Sequence, residues 1–385
     1  MDEMSLKLPQ IGFDMPITDL IMELEKMRYL ILKSDTHPLV FQQIRQIFQT
    51  LESIGSSRIE GNNTTIMDYV ESTKIQSSPD LFSPEEDIKD ILNIENAMKY
   101  IEDNINDIPI SSFFIRELHQ LTVEGLSYRR EGAQHPGRFR EGNVRIGGST
   151  HTPPDYTQVE PMMQELIDFV NKVDTPKYDL LKIAIAHHRF VWIHPFENGN
   201  GRVVRLFTYA LLLKFVFKSR DRIINPTAVF CSDRDAYYAY LSKADSGTND
   251  GLIEWAEYML HGLCSEIEKI DRLSDYEYLR SNILLPSLQD AKERMYITPL
   301  EYIILKNTIS KKEQILQSND IAKDFPNASS SDRSRMIKAL IDKGMLMPIH
   351  AGARKYVIAF GNNYLLRSIL KSLDANGFLP SNEPK

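Results

Sequence analysis

The sequence has little of what builds disulfide scaffolds or membrane spans. Its 385 residues include only two cysteines, Cys231 and Cys264, too few for a disulfide framework or a cysteine metal cluster. The longest apolar stretch, 206–217, is about half of a ~20-residue membrane span and contains Lys214. Residues 1–16 lack the basic-then-apolar order of a signal peptide. These absences predict a cytoplasmic protein that does not enter a membrane.

Tandem repeats and low-complexity tracts are also missing, and strand-like segments are scarce. A net charge of -8 excludes a protein that coats nucleic acid over its whole surface. Apolar residues at helical spacing dominate the chain, whose length allows two or three domains. We therefore predict a mainly α protein with helices at 17–32, 40–54, 87–104, 111–125, 159–173 and 178–192.

One segment breaks the helical pattern. Residues 135–154 are rich in Gly and Pro, and a Gly-Gly pair inside them separates residues 143–146 from residues 149–151. Short runs on either side of such a pair are typical of a β-hairpin. The predicted hairpin contains Val144, Arg145, Ile146, Gly147 and Gly148.

The C-terminal segment carries a different charge. Helical spacing at 300–307, 318–324 and 331–343 precedes two strand-like runs within 345–360, which is the layout of a winged helix. Between residues 301 and 355, ten Lys/Arg stand against six Asp/Glu, a net of about +4. Two interpretations stay open: DNA binding through the third helix, or a role in packing or dimerisation only. The candidate phosphate contacts are Arg333, Arg335 and Lys338.

The most informative stretch runs from His194 to Arg205 and reads His-Pro-Phe-Glu-Asn-Gly-Asn-Gly-Arg-Val-Val-Arg. Pro195 disfavours helical dihedrals at His194, so the preceding helix ends there. The Gly-Asn-Gly turn lets backbone N–H groups converge without Cβ atoms that would block a phosphate. Arg202 and Arg205 share a face of the next helix, whose N-terminus also favours an anion. The stretch predicts a phosphate site beside a histidine base, and it is not a Walker-type loop because no Gly-Lys-Ser/Thr follows.

These residues resemble the signature of the Fic (filamentation induced by cAMP) family, His-x-Phe-x-(Asp/Glu)-Gly-Asn-Gly-Arg-x-x-Arg. The resemblance implies an all-α fold with a β-hairpin flap that clamps a target protein by strand addition. It also implies transfer of AMP from ATP to a Ser, Thr or Tyr hydroxyl of a target protein, or of the chain itself, with Mg²⁺ bridging the phosphates. His194 would be the general base. The nucleotide would be bound by Glu197, Asn198, Gly199, Asn200, Gly201, Arg202, Arg205, Tyr237 and Tyr238.

One departure from the signature concerns the metal. The family's acidic position is Asn198 in this chain, and Glu197 stands one place earlier, where its side chain leaves the loop in a different direction. An amide oxygen is a hard ligand that can coordinate Mg²⁺ without neutralising its charge. We expect weaker metal binding or a slower enzyme.

A second stretch, Ser56-Ser-Arg-Ile-Glu60-Gly61, is similar to the family's inhibitory motif, (Ser/Thr)-x-x-x-Glu-(Gly/Asn). Ser56 and Glu60 are four residues apart on one helical face, and Gly61 is a natural helix stop. The resemblance implies that Glu60 pairs with Arg205 in cis and makes that arginine unavailable to the γ-phosphate. His187 and His188, adjacent on a helix, are interpreted as packing residues.

We expect four parts: an N-terminal helical region with the inhibitory helix (1–85), a Fic catalytic domain (86–270), a linker helix (271–297) and a winged-helix-like domain (298–385). Three functions remain open at this point. The first is AMP transfer held in check by Glu60. The second is removal of AMP, or transfer from another nucleotide. The third is a transcription regulator that senses a nucleotide with little catalysis. A homodimer is compatible with each.

Overall fold

The computed structural model describes residues 6–29, 34–75, 85–147, 149–217 and 223–379, with the backbone only at residues 74 and 75. Helices dominate these residues, which confirms the mainly α prediction. Local chemistry sets several helix ends: the hydroxyl of Ser111 caps one helix by accepting from the Phe114 N–H, and Thr298 and Glu301 form a capping box at another. None of the described helices is long and apolar enough to span a bilayer.

The α-helices, in chain order, are α1 (Pro16–Tyr29), α2 (Pro38–Ile59), α3 (Ile66–Val70), α4 (Glu86–Asn104), α5 (Ser112–Val123), α6 (Val159–Asn171), α7 (Asp179–Ile193), α8 (Asn200–Leu211), α9 (Pro226–Ser232), α10 (Arg234–Ala244), α11 (Asn249–Asp271), α12 (Tyr276–Tyr278), α13 (Leu285–Glu293), α14 (Pro299–Ser310), α15 (Ser330–Asp342) and α16 (Leu365–Ala375). Turns of 3₁₀-helix lie at Tyr156–Gln158, Pro176–Tyr178 and Arg272–Ser274. Turns of π-helix lie at Glu71–Ile75, Leu212–Val216 and Leu279–Leu284.

The chain divides into two compact units. Unit 1 comprises Met1–Ile31, Glu52–Thr64 and Pro84–Glu268. Its centre is α8, in which every residue except Gly201 is buried. The buried face of a central helix is normally apolar, yet α8 carries Arg202 and Arg205 at 0% and 2% exposure. Buried arginines need partners, so the neighbours of α8 define the site described below.

Unit 2 comprises Leu32–Leu51, Thr65–Ser83 and Lys269–Lys385. Its strands β1 (Leu346–Pro348) and β2 (Tyr356–Ile358) are antiparallel, with Leu346 opposite Ile358. Leu316 adds an isolated antiparallel bridge to Tyr356. Gln43 on α2 braces the end of this sheet, because its amide donates to Ile358 O and accepts from Phe360 N–H.

Two sequence predictions are wrong. Residues 143–147 and 149–152 form a loop in which Ser149 N donates to Ile146 O, and these described residues contain no paired strands. The predicted hairpin is thus reduced to a turn, because the flanking side chains bond elsewhere: Asn143 to Asp155, and His151 to Trp192 O. Gly148 lies outside the described residues. The predicted helix at 318–324 is a series of turns, in which Asp320 N donates to Gln317 O and Ala322 N donates to Asn319 O, three residues back rather than four. Residues 30–32 of the first predicted helix also lie outside the described residues.

Candidate active site

His194 stands at the end of α7, on the wall of a cavity of about 810 Å³ in unit 1. It caps the helix in the left-handed region, with φ 51° and ψ 60°, and its N–H donates to Phe190 O. Pro195 follows and prevents the helix from continuing. The geometry turns the histidine out of the helix and into the cavity.

The loop that follows is closed by its own side chains. Asn200 accepts from the Phe196 N–H and donates to Phe196 O, both at 2.9 Å. Gly199, with φ 76°, lets the chain enter α8. Gly199, Asn200 and Gly201 line the cavity at the N-terminus of α8, where the first N–H groups of a helix lack intrahelical partners. A helix N-terminus of this kind favours an anion, and we call these residues the cradle. The Asn200 side chain therefore braces the cradle rather than reaching into it.

A residue that the sequence reasoning missed, His119 on α5, holds this loop from behind. Its ring stacks on Phe196 with centroids 3.9 Å apart and planes 5° from parallel. Its Nδ1 accepts from Gly137 N at 2.9 Å, so its proton lies on Nε2, which donates to Asn198 O. Burial lowers the pKa of His119 to about 4, although the Asn198 carbonyl opposes this shift. The signal in the sequence was only a histidine on an amphipathic helix, too common to single out.

Arg205 is bound by the predicted inhibitory stretch. Its Nε donates to Ser56 Oγ at 2.8 Å, and one terminal nitrogen donates to Ser56 O at 2.9 Å and to Glu60 Oε1 at 2.7 Å. A Cβ placed on Gly201 would lie 2.1 Å from Glu60 Oε1, so the carboxylate reaches over the cradle. Burial opposes ionisation of Glu60, but Arg205 outweighs it and the pKa of Glu60 is lowered.

Arg202 is also engaged. One of its terminal nitrogens pairs with Asp90 of α4, and the other donates to Glu131 O at 2.7 Å and lies 2.9 Å from Glu131 Oε2. Burial raises the pKa of Glu131; Arg202 lowers it, while Glu60 and Asp90 raise it further. Neither Asp90 nor Glu131 was predicted, because both lie far from the motif in sequence.

Asn198, the candidate metal ligand, lies on the cavity wall with its amide already used. Its Nδ2 donates to Arg130 O and Gly132 O, and its Oδ1 accepts from Gly199 N at 2.8 Å. Oδ1 retains a second lone pair, so the residue fits a hard cation as one neutral oxygen ligand. The described residues contain no group of three or more His, Cys, Asp or Glu side chains able to hold a metal. A cation here would depend mainly on phosphate oxygens.

The two candidate adenine residues are separated. Tyr238 is 42% exposed and lines the cavity, as does the exposed Glu197. Tyr237 is buried and does not line it; its hydroxyl lies 2.9 Å from His187 Nε2, and burial raises its pKa. His188 Nε2 donates to Asp245 Oδ1 at 2.9 Å, which places an Asp that lines the cavity. His187 and His188 are thus packing and supporting residues.

The loop 143–152 borders the same cavity through Arg145, Ile146 and Gly147. Its beginning is tied by Asn143, which contacts Asp155 and Tyr156. Val144 belongs to the same extended segment but does not line the cavity. The loop therefore presents backbone and side chains beside His194.

The electrostatics of the cavity set the protonation state of His194. Its pKa is lowered to about 4, mainly by burial and also by the nearby Arg140 and His151. The Val191 carbonyl and the Glu60 carboxylate act in the opposite direction. A histidine with this pKa is neutral at pH 7 and is ready to accept a proton.

The fold and site define a helical domain in which a neutral histidine and the N-terminus of a central helix line one cavity. Residues 109–212 match the model of the Fic/DOC family. A protein adenylyltransferase Fic from Nematostella vectensis is 29% identical over 202 residues, which is 50% of this chain and 42% of that protein. The Drosophila willistoni protein of the same name is 31% identical over 191 residues, 49% of this chain and 35% of that protein. The chain thus spans less than half the length of these relatives.

Solved structures agree on the fold. A Fic family protein from Desulfovibrio desulfuricans G20 superposes with a TM-score of 0.54 at 20% identity, covering 92% of this chain and 98% of that one. A Fic domain-containing signaling protein from Bacteroides thetaiotaomicron gives a TM-score of 0.50 at 19% identity, covering 67% of this chain and 97% of that one.

Proposed function

We propose that this protein is an adenylyltransferase that moves AMP from ATP to a Ser, Thr or Tyr hydroxyl of a target protein or of itself. The observation that carries the proposal is one cavity that joins a neutral base, His194, to a cradle of backbone donors at the start of α8. A base beside an anion site is what phosphoryl-group transfer to a hydroxyl requires. The names of the relatives support the same reaction.

In this mechanism the target hydroxyl attacks the α-phosphorus of ATP. His194 takes the hydroxyl proton, the bond to the β-phosphate bridging oxygen breaks, and pyrophosphate leaves. The cradle amides and Arg202 stabilise the charge that develops on the phosphates. Asn198 would give one oxygen to Mg²⁺, which supplies charge neutralisation when bound.

Glu60 restrains the reaction in cis under this proposal. Its carboxylate occupies the space above Gly201 and holds Arg205, the cation that would otherwise bind the γ-phosphate. A triphosphate that loses this contact settles with its α-phosphorus away from the attacking hydroxyl. The resting enzyme would therefore transfer AMP slowly.

The loop 143–152 would present the target. Among the described residues this loop belongs to no sheet, so a target segment can add to it as a strand and read few side chains. This mode fixes the position of a hydroxyl beside His194 without demanding one target sequence.

The test is transfer of label from α-labelled ATP onto protein. We expect strong labelling with Glu60→Gly, little with wild type, and none with Glu60→Gly/His194→Ala. The control tests whether added backbone flexibility after α2, rather than loss of the Glu60 carboxylate, causes labelling. Asn63 is exposed and lies just beyond α2, and Asn63→Gly should be labelled like wild type. Absence of label from Glu60→Gly with bound ATP and added Mg²⁺ would contradict the proposal.

Two other reactions of the same fold give distinct results. Removal of AMP would appear as loss of label from a pre-modified target, fastest with wild type and abolished by Glu60→Gly. Transfer from another nucleotide would appear when α-labelled GTP, CTP or UTP replaces ATP.

Unit 2 supports a second proposed function, binding of duplex DNA by a winged helix. Helices α14 and α15 precede the β1–β2 hairpin, and the Leu316 bridge supplies the short third strand of that layout. Exposed residues on α15 and on the hairpin loop share positive or hydrogen-bonding character: Ser331, Ser334, Arg335, Lys338, His350, Arg354 and Lys355. Arg333 instead donates to Ala328 O at the start of α15.

Binding of a mixed-sequence duplex, followed by fluorescence anisotropy at several salt concentrations, tests this function. Lys338→Ala/Arg354→Ala should weaken binding and reduce the salt slope by about one per lost phosphate contact. Lys371→Ala, a charge removed from α16, serves as the matched control. Equal binding by wild type, the double variant and Lys371→Ala would contradict DNA recognition. Unit 2 would then serve packing or dimerisation, and a nucleotide sensed by the other unit would not control DNA binding.

A further inference from the structure

Arg140 lies just before the loop 143–152 in the sequence. Its side chain is only 3% exposed and donates to backbone carbonyls. Its Nε donates to His194 O at 2.9 Å, and one terminal nitrogen donates to Gly142 O at 2.9 Å. The other terminal nitrogen donates to Pro154 O at 2.6 Å and approaches Ile193 O at 3.4 Å. The Arg140 backbone N–H donates to Pro195 O at 2.9 Å. No part of this arrangement follows from the motif alone.

The carbonyls belong to two places of different function. Ile193 and His194 are the last helical residue of α7 and its cap, while Gly142 and Pro154 flank the loop 143–152. The last carbonyls of a helix lack intrahelical partners and carry partial negative charge, so a cation is favoured there. One side chain therefore ties the histidine to both ends of the loop.

A left-handed backbone is unfavourable at a residue with a Cβ and persists only where its surroundings impose it. At His194, Arg140 holds the carbonyls of the preceding residue, of the histidine and of the following proline. His151, at the far end of the loop, adds a donor bond to Trp192 O at 2.8 Å. The conformation of His194 is thus imposed from the loop side of the cavity.

We propose that Arg140 is a positioning residue that holds His194 in its left-handed conformation and couples it mechanically to the loop 143–152. The assignment of His194 as the base rests on the proposed function; the coupling itself does not. Only a guanidinium can serve four diverging carbonyls, because its five donors lie in a rigid plane, whereas a lysine offers one nitrogen.

Charge and geometry at Arg140 can be separated by substitution. Arg140→Lys keeps the cation but cannot hold the carbonyls, and Arg140→Gln removes the cation as well. The groups facing His194 are Arg140 and His151, which lower its pKa, and Glu60 and the Val191 carbonyl, which raise it. Loss of the Arg140 charge should raise the pKa of His194, and the lysine variant should leave it nearly unchanged.

The experiment compares Arg140→Lys, Arg140→Gln and the matched control Arg138→Gln, an exposed arginine of the same segment, all in the Glu60→Gly background. We expect both Arg140 variants to lose at least about tenfold in kcat with ATP affinity retained, since misplacement of a reacting group by ~1 Å can cost about a hundredfold. Amide hydrogen exchange across 143–152 should accelerate in both variants. Arg138→Gln should change neither quantity.

Measurements without turnover separate this inference from the proposed function. NMR titration of the His194 imidazole should show a raised pKa in Arg140→Gln only. If Glu60→Gly transfers no AMP, but the pKa and the loop exchange change as expected, the proposed function fails and the coupling stands. Arg140→Lys with unchanged kcat and unchanged loop exchange, or with ATP binding lost in parallel with melting temperature, overturns the coupling.

Discussion

The Glu60 carboxylate lies 2.7 Å from a terminal nitrogen of Arg205, directly above Gly201. The same arginine also donates twice to Ser56, once to its hydroxyl and once to its carbonyl. Nε and one terminal nitrogen of Arg205 are therefore already engaged within the protein. Under the proposed function, a γ-phosphate entering the cradle must displace this half-buried carboxylate from a buried cation.

This competition predicts how nucleotide affinity changes when Glu60 is removed. Wild type should bind ATP and ADP with similar affinity, because Arg205 is not available to the third phosphate. Glu60→Gly should bind ATP at least about tenfold more tightly than ADP, since a charge-assisted hydrogen bond contributes ~1.5–3 kcal/mol. Isothermal titration calorimetry measures both constants, with Asn63→Gly as the control. An ATP-to-ADP ratio unaffected by Glu60→Gly would contradict the competition.

The part of the site that could be predicted from sequence is the part encoded within a few residues. The end of α7 at His194, the glycine turn and the helix that carries Arg202 and Arg205 follow from Pro195, Gly199 and helical spacing. The helical class and most helix positions follow from the 3.6-residue period, with ends shifted by a few residues.

The rest depends on contacts between distant segments. Asp90, Glu131 and His119 are ordinary residues of amphipathic helices or loops, and only the tertiary fold brings them to the motif. Arg140 looked like one more arginine in a Gly-rich stretch. The hairpin prediction failed because a Gly-Gly turn is not sufficient for a hairpin: the flanking residues find their partners in Asp155 and in α7 rather than in each other.

The low pKa of His194 predicts an unusual pH dependence. A histidine with a pKa of about 4 is neutral across pH 5.5–8. The rate of AMP transfer, measured at a target concentration below KM, should therefore stay constant through pH 6.5, where an ordinary histidine base would lose activity. The rate should fall only as the pH approaches 4. Initial rates of Glu60→Gly measure this, with samples returned to pH 7.5 to control for unfolding. An acid limb at or above pH 6.5 would show that the base is ordinary or is another group.

His119 should prove necessary for the loop although it touches no substrate. His119→Phe keeps a ring to stack on Phe196 but leaves the Gly137 N–H and the Asn198 carbonyl without their partner. Each buried group left unsatisfied costs about 1–3 kcal/mol. In the Glu60→Gly background we expect weaker ATP binding and a kcat reduced about tenfold or more, measured beside the melting temperature. The control is Phe113→Ala, at a 68% exposed position of α5, which should leave ATP affinity, kcat and the melting temperature unchanged. If His119→Phe keeps normal kcat and normal ATP affinity, the histidine serves packing alone.

Glu52 lies on α2, two turns before Glu60 in the chain. Its buried carboxyl group predicts that the free energy of unfolding depends on pH. It is buried, both of its oxygens accept from the Thr227 N–H, and burial raises its pKa to about 8. A carboxyl whose folded pKa lies above its unfolded value near 4.5 stabilises the fold fully at low pH and loses that contribution as the pH rises toward 8. Glu52→Gln keeps an acceptor for Thr227 and cannot ionise.

The free energy of unfolding of wild type should therefore fall relative to Glu52→Gln between pH 5 and pH 8, by on the order of a few kcal/mol, since one pKa unit corresponds to about 1.4 kcal/mol. Urea unfolding at pH 5, 6, 7, 8 and 9 measures the difference, and Glu160→Gln, at an exposed position of α6, should follow wild type. A difference between wild type and Glu52→Gln that does not change with pH would mean that Glu52 is ionised throughout the range. The buried carboxylate would then be stabilised by Arg205, and Glu52 and Glu60 would both bear on that one cation.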